Sequence, residues 1–107
     1  MVTDKIVVFT TCNSQEQAAQ LARHLIEHRL AACATILPGA HSFYRWKDEI
    51  ENTSEAVLMI KSRRDIFDKL RAAILHVNSY EIPEVIALPI VDGSDAYLKW
   101  LDRELAS

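Results

Sequence analysis

AACATILPGAHSFYRWKDEIENTSEAVLMIKS, residues 31–62, decides the fold. Ala31 to Leu37 is apolar and partly β-branched and reads as a strand. Pro38-Gly39 interrupts it, yet His41 to Trp46 resumes a strand-like aromatic alternation. The pair is therefore expected at a bulge or kink rather than at a strand end. Lys47 to Thr53 is polar and turn-like, and Glu55 to Ser62 returns as a strand. The economical reading is one long β-hairpin.

Upstream, Lys5 to Cys12 is a buried strand by composition. Asn13 or Ser14 then caps a helix, with Glu16 or Gln17 three residues on. Ala18, Leu21, Ala22, Leu25, Ile26 and Arg29 share one stripe at the helical period, and the arginine marks the exit end. Downstream, Ser62 with Asp65 has the form of a capping box. It opens a second helix with Ile66, Phe67, Leu70, Ala73, Ile74 and Val77 on one stripe, stopped by Asn78. Tyr80 to Val91 is expected as a last strand, apolar on both faces from Val85 and so covered on both sides. Pro83 and Pro89 must then sit at bulges or along an unpaired side, since proline cannot donate to a ladder. Asp92-Gly93-Ser94 turns the chain into a final helix reaching about Leu105, with Tyr97, Leu98, Leu101 and Leu105 on one face.

The order β-α-β-β-α-β plus a terminal helix is the split-βαβ, ferredoxin-like α+β arrangement. The long hairpin and the proline-marked last strand leave apolar edge that needs a cover, and another copy of the chain is the simplest one. The 107 residues make one domain, 1–107, half hydrophobic and a quarter charged. A chain of this size buries roughly two thirds of its unfolded surface. Fifteen acids against twelve bases give a net charge of -3, which points away from nucleic acid and from an anionic membrane surface. No apolar run reaches the roughly 18 residues of a spanning helix, and no basic, apolar leader opens the chain. A soluble, cytoplasmic protein with free thiols at Cys12 and Cys33 is expected.

Chemistry concentrates in few places. Cys12 ends the first strand beside a helix start, where the dipole favours a thiolate, so it is a candidate soft-metal ligand or nucleophile. His24 and His28 are spaced i,i+4 on the first helix, off its apolar stripe, as half of a metal site or as two solvated residues. His41 lies in the aromatic strand, and His76 near the end of the second helix, where an imidazolium suits the dipole. The densest cluster is Phe43, Tyr44, Arg45, Trp46, Lys61, Tyr80, Glu81 and Glu84. Ser42, Tyr44 and Trp46 share a strand face there, and Lys61 needs a partner that Glu55, Glu81 or Glu84 can supply. This reads as an intersubunit ion pair with aromatic packing, or as a polar cleft for a small anion or metal complex. No glycine-rich phosphate loop, H-E-x-x-H, C-x-x-C or G-x-S-x-G occurs.

Taken in order, L-A-A-C at 30–33, P-G-x-x-S-x-Y-x-W at 38–46, E-x-x-L-x-x-K at 55–61, Y-E-x-P-E at 80–84 and Y-L-x-W at 97–100 resemble the CutA family of divalent-cation tolerance proteins. The resemblance covers nearly the whole chain. It implies a ferredoxin-like protomer in a tight, PII-like homotrimer whose hairpins extend neighbouring sheets. It also implies tolerance of divalent metals and binding of copper or zinc. Ser42, Tyr44, Trp46, Glu55, Lys61, Tyr80, Glu81, Pro83 and Glu84 match family positions at or near the intersubunit cleft. One departure stands out: Asn78-Ser79-Tyr80 replaces the H-P-Y of many members, so the histidine linked to copper is missing. Cys12 falls about two residues after the family's ligand cysteine, so a site here must use Cys12, His76, His41 or exposed histidines.

The leading expectation is a non-enzymatic metal-binding trimer, with Cys12 and His76 as ligands. A PII-like sensor of small anions, built on Lys61 and the aromatic strand, is the alternative. An acylphosphatase-like enzyme ranks last, because Thr10 to Ser14 supplies neither glycine nor arginine to cradle an anion.

Overall fold

The computed structural model describes residues 3–106. In chain order it has β1 (Lys5–Cys12), α1 (Gln15–Glu27), β2 (Cys33–Trp46), β3 (Glu49–Arg63), α2 (Phe67–Val77), β4 (Ile86–Pro89) and α3 (Asp95–Glu104). One antiparallel sheet runs β2-β3-β1-β4, the expected ferredoxin-like α+β order with an added helix. β2 and β3 form the long hairpin, with the register shift at Pro38-Gly39 that the sequence implies. Gly39 carries a φ of +74°, which an L side chain rarely adopts. No helix among the described residues is long and apolar enough to cross a membrane.

Alternation sorts the sheet into two faces. Ile6, Val8 and Cys12 of β1 and Ala56, Leu58 and Ile60 of β3 are buried under α1 and α2, against Ala18, Leu21, Leu25, Leu70 and Ile74. The other face is covered by α3 only at one end, where Tyr97 and Asp102 lie against Lys61, Lys5 and Arg63, and it is open beyond. There Thr35, Met59, Phe9 and Ile86 lie in register across all four strands, and Leu37, Val57 and Thr11 across three. A smaller core of Ala32, Ile66, Leu98, Leu101 and Leu105 holds α3.

Helix ends follow local chemistry. Ser14 Oγ accepts from the Gln17 amide at 3.0 Å, while the Gln17 side chain reaches back to the Asn13 amide. α1 closes in a Schellman motif: the Leu30 amide donates to the Leu25 carbonyl and the Arg29 amide to that of Ile26. Arg29 therefore sits at φ +55°, the position glycine usually holds.

Four expectations need correction. The turn is not Lys47 to Thr53 but Lys47-Asp48 alone, because Glu49 to Thr53 already pairs with β2. Ser62 caps nothing: it is buried in β3, its hydroxyl donating to the Leu30 carbonyl at 2.7 Å, and a short 3-10 turn over Arg64–Ile66 precedes α2. The last strand is only Ile86–Pro89, and in the single chain its four residues are exposed rather than covered. Ile90 turns its amide toward β1, so by alternation the ring nitrogen of Pro89 faces the open edge, where no donor is needed. Tyr97 leaves the α3 stripe and lies exposed over Lys61.

Lys47 and Asp48 both have positive φ, 51° and 67°, as a two-residue primed turn requires. Neither is the asparagine or glycine that tolerates it. Asp48→Gly is expected to stabilise the protein by about 0.5–1 kcal/mol, read as a higher urea midpoint at unchanged slope. A lower midpoint would mean that the turn is not strained.

α3 is also pinned by charge. Lys5, only 5 % exposed, donates to Asp4 and to Asp102 of α3. Arg63 bridges Asp102 at 3.2 Å and Asp65 at 2.7 Å. Bonding to Lys5, then to Arg63, holds the Asp102 carboxyl below its usual range. Burial disfavours the Lys5 ammonium, but the two carboxylates outweigh that and raise it. A depressed Asp102 stabilises the fold above its unfolded value near pH 4, and this is lost as pH falls through the folded value. A raised Lys5 stabilises below its unfolded value near pH 10, and this is lost as pH rises through the folded one. α3 is thus held most firmly between those limits. Below about pH 4 the emission of Trp100 should change as α3 loosens, and Asp102→Asn should abolish that acid transition. An acid transition unchanged in the variant would refute this account.

Candidate functional site

The hairpin, the end of β1 and the segment between α2 and β4 enclose an open groove of about 730 Å³. β2 contributes Ser42, Phe43, Tyr44 and Trp46, and β3 contributes Glu51 and Glu55. Thr11 comes from β1, and Ser79, Tyr80, Glu81, Ile82 and Glu84 come from the last segment. Strand alternation puts Ser42, Tyr44 and Trp46 side by side, and register sets Glu51 opposite Tyr44. Tyr44 Oη shares a 2.8 Å hydrogen bond with Thr53 Oγ1.

Asn78 sets the far wall. Its amide nitrogen donates to the Thr11 carbonyl at 3.0 Å, and its Oδ1 accepts from the Tyr80 amide at 2.8 Å. Ser79 Oγ accepts from Asn13 and Gln17, tying the segment to the start of α1. Asn78 thus links Tyr80 to the end of β1. Tyr80 Oη is itself buried and has no hydrogen-bond partner among the described residues. Burial, then the neighbouring Glu55, pushes its phenol well above the usual range, so it stays a protonated donor.

Seven of the nine residues expected at or near the cleft line this groove, Ser42, Tyr44, Trp46, Glu55, Tyr80, Glu81 and Glu84, while Pro83 does not. Nor does Lys61. It lies farther along β3, opposite Val7 and Cys33, where its ammonium donates to Tyr97 Oη at 3.1 Å and sits over the Tyr97 ring. Its partner is thus a phenol of α3 and none of the three glutamates. Thr11, Glu51, Ser79 and Ile82 were not legible as lining residues. Glu51 fell in the stretch read as a turn, and strand alternation carried through Glu49 to Thr53 would have exposed it.

The expected ligands diverge. Cys12 is fully buried, and burial, with Glu55 adding to it, raises its thiol. The helix-start argument for a thiolate is overridden, because the side chain faces the core and not the dipole's open end. His76 stands exposed in the last turn of α2. Among the described residues no group of three or more His, Cys, Asp or Glu closes on a point that would hold a metal. The groove of one copy offers four carboxylates, hydroxyls and aromatic faces, and no Lys, Arg or His lines it. Such a lining attracts cations and repels anions.

A split βαβ sandwich with a long bulged hairpin, and along it an acidic, aromatic groove, defines a class by fold, the ferredoxin-like α+β proteins. Residues 6–104 match the family described as CutA1 divalent ion tolerance protein, and the chain belongs to that family. It is 42% identical over 95 residues to the divalent-cation tolerance protein CutA of Thermus thermophilus, covering 89% of this chain and 92% of the relative. It is 42% identical over 96 residues to the chloroplastic CutA of Arabidopsis thaliana, covering 90% of this chain but 53% of that protein. The chain thus spans about half the length of its plant and mammalian relatives. The crystal structure of CutA from Xylella fastidiosa superposes with a TM-score of 0.94 at 36% identity, over 97% of this chain and all of that one. CutA1 from Oryza sativa superposes at 0.95 and 37% identity, over 99% and 97%.

Proposed function

We propose that the protein is a non-enzymatic divalent-metal tolerance protein that works as a homotrimer and takes copper-type ions, Cu2+ or Zn2+, in grooves between subunits. The observation that carries this reading is the groove lining: Glu51, Glu55, Glu81 and Glu84 with hydroxyls and no basic side chain. Carboxylate oxygens accept divalent ions, and among late metals Cu2+ binds such donors most tightly. One copy does not complete a coordination sphere, which fits a groove closed by a neighbouring subunit. The part of the sheet face that α3 leaves open and the open edge of β4 supply the reason to assemble. The chain exposes 6784 Å², against about 6,100 Å² for a monomer of its mass. Its radius of gyration of 14.4 Å exceeds the about 13 Å of a compact chain, because the hairpin projects.

The anion-sensor alternative relied on Lys61, which is engaged with Tyr97 outside the groove. A cytoplasmic location belongs to the same proposal and rests on the two free thiols. The names of relatives range from chloroplastic to periplasmic.

The test is calorimetric titration of the assembled protein with Cu2+ and Zn2+. Glu55→Gln combined with Glu84→Gln is expected to weaken the groove event roughly tenfold or more. Cys12→Ser reports separately on the thiol. Metal binding that ignores both sets of changes would remove the groove from the account.

A further inference from the structure

α1 ends in two imidazoles that neither the core nor the groove uses. His24 is half-buried at the margin of the apolar stripe, and His28 is exposed at the C-cap. They stand one helical turn apart, their ring centroids 4.2 Å from each other and their planes inclined by 36°. His28 Nδ1 lies 2.9 Å from the His24 carbonyl oxygen. A carbonyl only accepts, so Nδ1 holds the hydrogen, and Nε2 of the neutral ring keeps its lone pair. Metal-bound histidines are usually oriented in this way, one ring nitrogen donating to a backbone carbonyl while the other binds the ion. Glu27, the carboxylate of the same turn, is paired with Arg23 at 3.7 Å.

We propose that His24 and His28 form a two-imidazole surface site for a late divalent cation, Cu2+ in preference to Zn2+. Two imidazoles at i,i+4 on a helix already share one metal in the H-E-x-x-H arrangement. Nitrogens each about 2.0 Å from a common ion lie about 3 Å apart, within reach of rings whose centres are 4.2 Å apart. The two nitrogens take neighbouring positions of a tetragonal Cu2+ plane, and water fills the rest. The site shares no residue with the groove and stands if the groove reading fails.

Untagged protein is titrated with Cu2+ in a non-coordinating buffer, with electron paramagnetic resonance at one ion per chain. Wild type should bind with a nitrogen superhyperfine pattern of two imidazoles. His24→Ala or His28→Ala should weaken this event roughly tenfold or more and remove the two-nitrogen pattern. His24→Gln and His28→Gln, which keep a polar side chain, should do the same with circular dichroism unchanged. Glu55→Gln with Glu84→Gln should leave the event intact, which separates this site from the groove. A His24→Ala/His28→Ala double variant that titrates like wild type overturns the proposal. So does a wild-type spectrum without coupled nitrogen.

Discussion

Leu58→Ala is expected to destabilise the protein by about 2–5 kcal/mol, the largest effect of any single core truncation here. Leu58 is fully buried at the middle of β3, an interior strand, paired with Thr10 of β1 and Ile36 of β2. Its side chain meets the helices where Leu21, Leu25, Leu70 and Ile74 converge. Truncation removes transfer free energy and leaves a cavity that an interior strand, held by ladders on both sides, cannot close. Leu58→Met, which nearly keeps the volume, should cost less than about 1.5 kcal/mol. Both are measured as urea midpoints at one fixed protein concentration, because assembly makes apparent stability depend on concentration. A loss below about 1 kcal/mol for Leu58→Ala would mean that the helices do not pack on this face as described.

Period and chemistry made most of the fold legible. The β-branched run Lys5 to Cys12, the Ala18, Leu21 and Leu25 core of the first stripe, Leu70 and Ile74 of the second and the Pro38-Gly39 bulge are local signals that local physics honoured, whereas Ile26 is exposed and Arg29 lies past the end of α1. The reading went astray where a tertiary partner outranked a local motif. Ser62 has the spacing of a cap, yet it lies in β3 and donates to Leu30, thirty-two residues away in sequence. Glu49 to Thr53 is polar because it belongs to a projecting hairpin with water on both sides, not because it turns. The groove was mostly visible because aromatic and acidic residues stand close in sequence on either side of it. Lys61 was misplaced because an end-of-run lysine was matched with the nearest acids, whereas the third dimension brought it Tyr97. For Cys12, strand parity, which turns it under the helices, decides its exposure before any helix dipole can act.

Ile86→Asp is expected to dissociate the proposed trimer of 12.2 kDa chains into single copies. Ile86 is 51 % exposed in the single chain, so the protomer's own core owes it little. It shares a row with Phe9, Met59 and Thr35 on the face opposite α1 and α2, and it belongs to the open edge strand. A carboxylate there costs almost nothing against water. Desolvated against a neighbouring apolar face, it costs several kcal/mol at each symmetric repeat of the interface. The same row explains why a cover is needed: an exposed, apolar edge invites unspecific pairing unless a closed assembly occupies it. Sedimentation decides the matter together with circular dichroism, which should show the variant folded. Wild-type protein that is stable and monomeric in dilute solution would remove the assembly, and with it any groove closed by a neighbour. A variant that keeps the wild-type mass would place the interface elsewhere on the molecule, away from β4 and the open part of that sheet face.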